Sequence, residues 1–197
     1  GSKVNAIAEA ANTYVSLYGI YPLSIIVDTE GKVIATNDRD AHGKALETDW
    51  IYDENFEDAS WFKAAMSGKF LKSDLLDGTH VEDVESNAMV SRVVGGDGLV
   101  IGYTAPIKDA DGRVIAIWKN FADFALVEEI IASAFNKLAD AGVKTTELTL
   151  LDRQGRVIVD FDPYSHNGSL DVVHDMSVFR KFNLAENGVA PAQDVIK

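Results

Sequence analysis

The sequence predicts an α+β fold: a long N-terminal helix packed on an antiparallel sheet, followed by the start of a second, smaller or truncated module. Three observations predict it. Apolar residues recur at helical spacing near the N-terminus, apolar runs of strand length are punctuated by a repeated turn phrase, and that phrase restarts late in the chain. The phrase is an aspartate, two variable residues, a glycine, a basic residue and Val-Ile, at 28–34, 109–115 and 152–158. Its aspartate can hydrogen-bond the backbone of its own turn, and its glycine supplies the positive φ that hairpin turns need. The basic residue and Val-Ile then begin a return strand.

Each element follows in order. Val4, Ile7, Ala8, Ala11, Tyr14, Val15 and Tyr18 mark a first helix, closed by Gly19 and Pro22. The first phrase makes a hairpin over 23–36, and the polar stretch 37–57 is too rich in Asp, Gly and Thr to be regular throughout. Asp58 caps a short helix carrying Trp61, Phe62, Ala65 and Met66, which ends at Gly68. The stretch 71–86, with Asp77-Gly78, reads as irregular. Strands are predicted at 89–94 and 99–107, joined by Gly95-Gly96-Asp97-Gly98 as a hairpin turn, and a third at 113–119 after the second phrase. Phe124, Val127, Ile131, Ala134, Phe135 and Leu138 mark a long helix, capped by Asp123 and stopped by Gly142.

The third phrase restarts a strand pair over 147–160. It stands 124 residues after the first, with Lys32/Arg156, Val33/Val157, Ile34/Ile158 and Asp38/Asp162 in matching places. The expected organisation is therefore a helix at 1–22, a sheet module at 23–145 and a second, partial module at 146–197.

Bulk properties bound the function. Of 197 residues 47% are apolar, enough for a core, and the formal net charge of −13 repels nucleic-acid backbones and anionic lipid surfaces. There is no cysteine, so no disulfide, zinc-thiolate site or cysteine nucleophile exists. No apolar run approaches the roughly 18 residues of a membrane span, and no signal peptide is visible. Gly1-Ser2 reads as a tag-cleavage scar, so the sequence is expected to be an excised piece with flanking segments cut away.

The order of these features resembles the double Cache sensor family, the PAS-like extracytoplasmic input domains of bacterial chemoreceptors and histidine kinases. The hairpin Ile25-Ile26-Val27-Asp28-Thr29-Glu30-Gly31-Lys32-Val33-Ile34, the helix Ser60-Trp61-Phe62-Lys63-Ala64-Ala65 and the run Ala105-Pro106-Ile107-Lys108-Asp109-Ala110-Asp111-Gly112-Arg113-Val114-Ile115 carry the resemblance. The stretch Trp118-Lys119-Asn120-Phe121-Ala122-Asp123-Phe124 is similar to methyl-accepting chemotaxis receptors in particular. The resemblance covers residues 3–160 and implies a small ligand held between the sheet and the loops around the Trp-aromatic helix. Trp61 and Phe62 fall where relatives place a Trp-Tyr pair. The family's amino-acid clamp is not evident: Ala59 stands where an arginine would hold the carboxylate, and Lys119, Asn120 and Phe121 stand near the place of the aspartate that holds the amine.

The candidate ligand residues are Trp61, Phe62, Tyr103, Trp118, Asn120, Tyr52 and Arg92, and each has a plainer reading beside it. Trp61 and Phe62 either line the pocket or anchor their helix in the core. Tyr103 is either a ligand hydroxyl or a core tyrosine that shares a strand face with Leu99, Ile101, Ala105 and Ile107. Trp118 and Asn120 alternate with Lys119, and the sequence does not say which strand face meets the ligand. Arg92 and Lys119 could each hold a carboxylate or stand as surface cations. Tyr52 is either a lid residue or a packed surface aromatic.

Nothing points to catalysis, a cofactor or a metal. His42, His80, His166 and His174 are scattered without ligand spacing. The acidic pairs Asp109/Asp111 and Asp38/Asp40 lack the rest of a calcium loop. Thr79-His80 has no nucleophile partner motif, and no phosphate loop precedes a helix. The expectation is a small-molecule sensing domain and not an enzyme, in a periplasmic setting, with a homodimer through the first helix as an added expectation. The rival is an interaction or dimerisation module with no ligand of its own.

Overall fold

The computed structural model describes residues 6–71, 78–143, 146–162 and 175–195. Val4, Asp77, His166 and His174, and the part of the 71–86 stretch over 72–77, lie outside the described residues. The chain divides into two compact units, Gly1–Phe124 and Ala125–Lys197. This division groups the long helix with the late strand pair.

The first unit is a six-stranded antiparallel sheet flanked by helices. Its strands are β1 (Leu23–Val27), β2 (Val33–Thr36), β3 (His80–Val81), β4 (Glu85–Ser86), β5 (Leu99–Lys108) and β6 (Val114–Asp123). They run in the order β2-β1-β6-β5-β3, with β4 also paired to β5. β1 and β6 thus lie side by side although some ninety residues separate them, which places β6 between two full partners. Every residue of β1 is buried, as a central strand covered on both faces requires.

Helix α1 (Ala6–Tyr18) packs Ala8 on one face, against Ile26, Ala35 and Ala116. Small side chains there let the helix approach the sheet closely. The opposite face meets a 3-10 turn at Asp49–Asp53, helix α2 (Ser60–Met66) and helix α3 (Ala88–Val94). On that side Ile51, Tyr52, Trp61, Phe62, Ala65 and Val90 pack on Leu23, Ile25, Ile117 and Phe121, all buried. Each large apolar side chain so buried contributes about 1.5–3 kcal/mol.

Two local expectations are corrected. The segment 89–94, expected as a strand, is the helix α3. Asn87 caps it, its side chain accepting from the backbone N–H of Met89 and Val90, and Gly95 ends it at φ 85°. The valines suit a strand by propensity, but a good cap and stop outweigh a weak preference. Asp58 does not cap α2: Ala59 occupies that place with no side-chain bond, and Asp58 pairs instead with Lys63 at 2.7 Å.

The turn phrase has one geometry. In each copy the aspartate Oδ1 accepts from the backbone N–H two and four residues on, at 2.9–3.0 Å, as Asp28 does from Glu30 and Lys32. A fourth copy, Asp40-Ala41-His42-Gly43-Lys44, has the same bonds to His42 and Lys44 without the Val-Ile that follows the others.

The second unit holds helix α4 (Ala125–Asp140), strands β7 (Leu148–Leu151) and β8 (Val157–Phe161), and helix α5 (Ala190–Val195), which the sequence reading did not foresee. Phe135 of α4 meets Phe161 of β8 edge to face at 5.4 Å. Around its hairpin the unit repeats a docking pattern of the first. Asn55 donates to the Glu30 carbonyl, pairs with Lys32 and is followed by a Phe56 N–H bonded to the Gly31 carbonyl. Asn183 likewise donates to the Gln154 carbonyl, pairs with Arg156 and is followed by a Leu184 N–H bonded to the Gly155 carbonyl. A short helix comes next in both cases, α2 in the first and α5 in the second.

Candidate ligand site

The first hairpin positions the site. A side chain on Gly31 would bring its Cβ within 2.2 Å of the Glu57 backbone nitrogen, so glycine lets the 55–57 segment lie directly on the turn. That segment leads into α2, and Phe56 packs against Trp61 with ring centres 5.3 Å apart. Trp61 is thereby fixed over the sheet, and Phe62 stands edge-on to it at 6.1 Å.

Beneath Trp61 lies Lys119. It is the bulkiest of the fully buried side chains among the described residues, sitting mid-sheet on β6 between Thr104 of β5 and Ile25 of β1. Its ammonium is 4.9 Å from the Trp61 ring centre and 4.8 Å from that of Phe121. Glu82, in the link between β3 and β4, supplies the counter-charge by an ion pair with Lys119. Burial pushes the Lys119 ammonium below its ordinary 10.5, and Glu82 and then Glu85 oppose that drop. The Thr104 hydroxyl beside it is fully buried and has no hydrogen-bond partner among the described residues. A buried hydroxyl left unpaired costs on the order of 1–3 kcal/mol, so it marks a place where a polar group is wanted.

The expected ligand residues divide between the two sheet faces. Trp61 and Phe62 are on the α2 side, as is Tyr52. Tyr52 is buried in the core, and burial raises its hydroxyl above the ordinary 10.0 while a backbone hydrogen bond at Thr36 opposes the rise. Arg92 is also on this side, its guanidinium stacked 3.8 Å over Trp50.

Tyr103, Trp118 and Asn120 face α1 instead, because the alternation that turns Lys119 and Thr104 inward turns them outward. There the Trp118 indole donates to Ser24 Oγ at 2.6 Å, and Ser24 Oγ donates to Asn120 Oδ1 at 2.7 Å. Trp118 also meets Tyr14 of α1 at 5.0 Å. These bonds use the polar ends of Trp118 and Asn120 in tying the sheet together. Lys119, weighed in the sequence only as a lone cation, is joined by Glu82 and Thr104, which sequence reading missed. The available signal was Gly102, a glycine in mid-strand that marks a close approach.

Among the described residues no three His, Asp or Glu side chains converge as metal ligands, and no helix is long and apolar enough to cross a membrane.

Several solved structures share this fold, among them the following three. An extracellular ligand binding receptor from Desulfohalobium retbaense DSM5692 matches 98% of this chain and 27% of its own length, with TM-score 0.58 and 12% identity. The extracellular domain described for the histidine kinase vpHK1S-Z8 matches 95% of this chain and 60% of its own, with TM-score 0.54 and 12% identity. A domain of a sensory box/GGDEF family protein from Vibrio parahaemolyticus matches 96% of this chain and 64% of its own, with TM-score 0.53 and 12% identity. The chain thus spans less than two thirds of the length of each structure. No protein-family model matches the sequence, and no curated protein does. The fold is therefore the PAS-like α+β architecture that these structures share.

Proposed function

We propose that this chain is the ligand-binding part of an extracytoplasmic sensor, and that a small molecule binds on the α2 side of the sheet over Lys119. One observation carries the proposal: a buried ammonium under an aromatic ring, next to a buried hydroxyl with no partner among the described residues. A purely structural core at that depth favours apolar side chains, since replacing buried ion pairs by them is often neutral or stabilising. Trp61 and Phe62 contribute the aromatic wall, while Tyr52 and Arg92 hold the 3-10 turn and α3 that frame it.

Binding would favour one arrangement of the sheet edge and loops over another, and the ligand can do so only through unequal affinity for the two. The shift would pass to the terminal helices and so to membrane segments of a longer, periplasm-facing protein. The chemoreceptor-like stretch 118–124 supports a methyl-accepting chemotaxis receptor as parent. The naming of one structural neighbour as a histidine kinase supports a sensor kinase as the second reading. Exposed Ile7, Leu17 and Tyr18 on α1 support the dimer proposed through that helix.

The test is thermal unfolding of the chain with small carboxylates, amines and purines. Stabilisation that saturates and is lost on replacing Lys119 is expected. A screen in which no compound raises the melting temperature would overturn the sensing reading and favour an interaction module.

A further inference from the structure

We infer that Glu82 is a built-in carboxylate that occupies Lys119 until the carboxylate of a small organic anion displaces it. This rests on the reading of the Lys119 face as the ligand site, and it names the ligand class.

Three observations carry it. The first is the room made for Glu82. A Cβ on Gly102 would stand 2.2 Å from Glu82 Oε2 and 3.2 Å from Lys119 Cε. Gly102 does not have positive φ, so its missing side chain serves space and not backbone conformation. A mid-strand glycine weakens a sheet, and here it opens the path by which the Glu82 carboxylate reaches the lysine.

The second is the inequality of the two partners. Lys119 is on β6, hydrogen-bonded on both sides, and its side chain is 2% exposed. Glu82 lies at the sheet edge between two strands of two residues each, and its side chain is 16% exposed. Of the pair, Glu82 is the one that can swing to water.

The third is Thr104. Glu82 meets Lys119 through Oε2, and neither of its oxygens reaches the Thr104 hydroxyl, which has no partner among the described residues; a free carboxylate, not tethered to the sheet edge, can present one oxygen to each.

Exchange therefore keeps one anion on Lys119 in both states, so no buried charge is left alone. The incoming carboxylate takes the ammonium and the Thr104 hydroxyl, and Glu82 regains its hydration. The edge link 82–84 moves with it, which gives the empty and filled states different sheet edges.

The experiment is calorimetric titration of acetate, lactate and succinate, with alanine as a zwitterionic comparison, into the wild-type chain and into Glu82→Gln and Glu82→Asp. Both variants weaken the hold on Lys119, and Glu82→Asp does so with the charge kept, in case the neutral variant fails to fold. The expected result is tighter carboxylate binding, about tenfold for Glu82→Gln, the size of one charge-assisted hydrogen bond, and less for Glu82→Asp. Carboxylate binding to wild type with no gain in either variant overturns the place-holder. Alanine binding to wild type that is lost in Glu82→Gln also overturns it, since Glu82 would then contact the ligand amine. If wild type and both variants alike fail to bind any of the four, the Lys119 site itself is overturned.

Discussion

The Lys119 ammonium lies 4.9 Å from the centre of the Trp61 ring, so helix α2 and the central strand β6 meet at a buried charge. A desolvated cation over an indole is worth roughly 2 kcal/mol, enough to hold the helix in register but not to offset burial of a lone lysine. Glu82 is what makes the arrangement tolerable. Replacing Glu82 by Met leaves the buried Lys119 ammonium without its partner and should cost about 3 kcal/mol. Replacing Lys119 by Met as well should recover most of that loss, because two apolar side chains then fill the same space. Urea unfolding of the two single variants and the double variant checks this as a cycle.

Two glycines of positive φ should respond differently to alanine. Gly43 has open space around its missing side chain, so Gly43→Ala costs only the backbone strain, about 1 kcal/mol. Gly31 carries the 55–57 segment at 2.2 Å, so Gly31→Ala adds a backbone collision, for a total of about 3 kcal/mol. It should also loosen α2, which would appear as a red shift of tryptophan emission in Gly31→Ala and none in Gly43→Ala.

The repeated aspartates should also differ. Asp152 has a fully buried side chain held by Arg156, with Arg180 at 3.6 Å. Burial works against its charge, but hydrogen bonds from the Arg156 backbone and guanidinium and from Gln154 outweigh it and hold the carboxyl below its ordinary 3.8. A lowered folded value gives stability that is present above the unfolded value and lost as pH falls through the folded one. Asp152→Asn should therefore flatten the acid limb of unfolding below about pH 4 and destabilise the second unit by about 3 kcal/mol at neutral pH. Asp109→Asn, at an exposed turn, should cost little. Acid titration followed by circular dichroism separates them.

At the alkaline end Tyr21 dominates. Burial, and after it the neighbouring Tyr14 hydroxyl, raise its hydroxyl well above the ordinary 10.0. A raised folded value means that its contribution is complete below about pH 10 and is lost as pH climbs toward the folded value. Tyr21→Phe should make stability less sensitive to pH between about 10 and 12, as read by urea midpoints across that range.

Much of the fold was legible because its signals are local. The three full turn phrases, the α1 periodicity and the long strands 99–107 and 113–119 needed no tertiary information. The fourth turn is not marked in the sequence, because Asp40–Lys44 lacks the Val-Ile that begins a return strand in the others. The segment 89–94 reads as a strand because valines at helical spacing and a continuous strand run look alike over so short a length, although Asn87 and Gly95 frame a helix. For the candidate site, the helix that carries Trp61 is legible in the sequence. Which face of β6 meets it is not, since alternation alone leaves Lys119 and the Trp118/Asn120 pair equivalent. Glu82 was invisible for a plainer reason: its pairing depends on an edge strand of two residues meeting Gly102, twenty positions later.

The most direct test is titration of acetate, lactate and succinate into the wild type and the Lys119→Met/Glu82→Met double variant, whose fold is checked first by its urea midpoint. Binding in the wild type that falls by a hundredfold or more in the folded double variant is the predicted result, the equivalent of about 2.7 kcal/mol for the lost ammonium. Carboxylate binding of equal strength in both would contradict the placement of the ligand on Lys119.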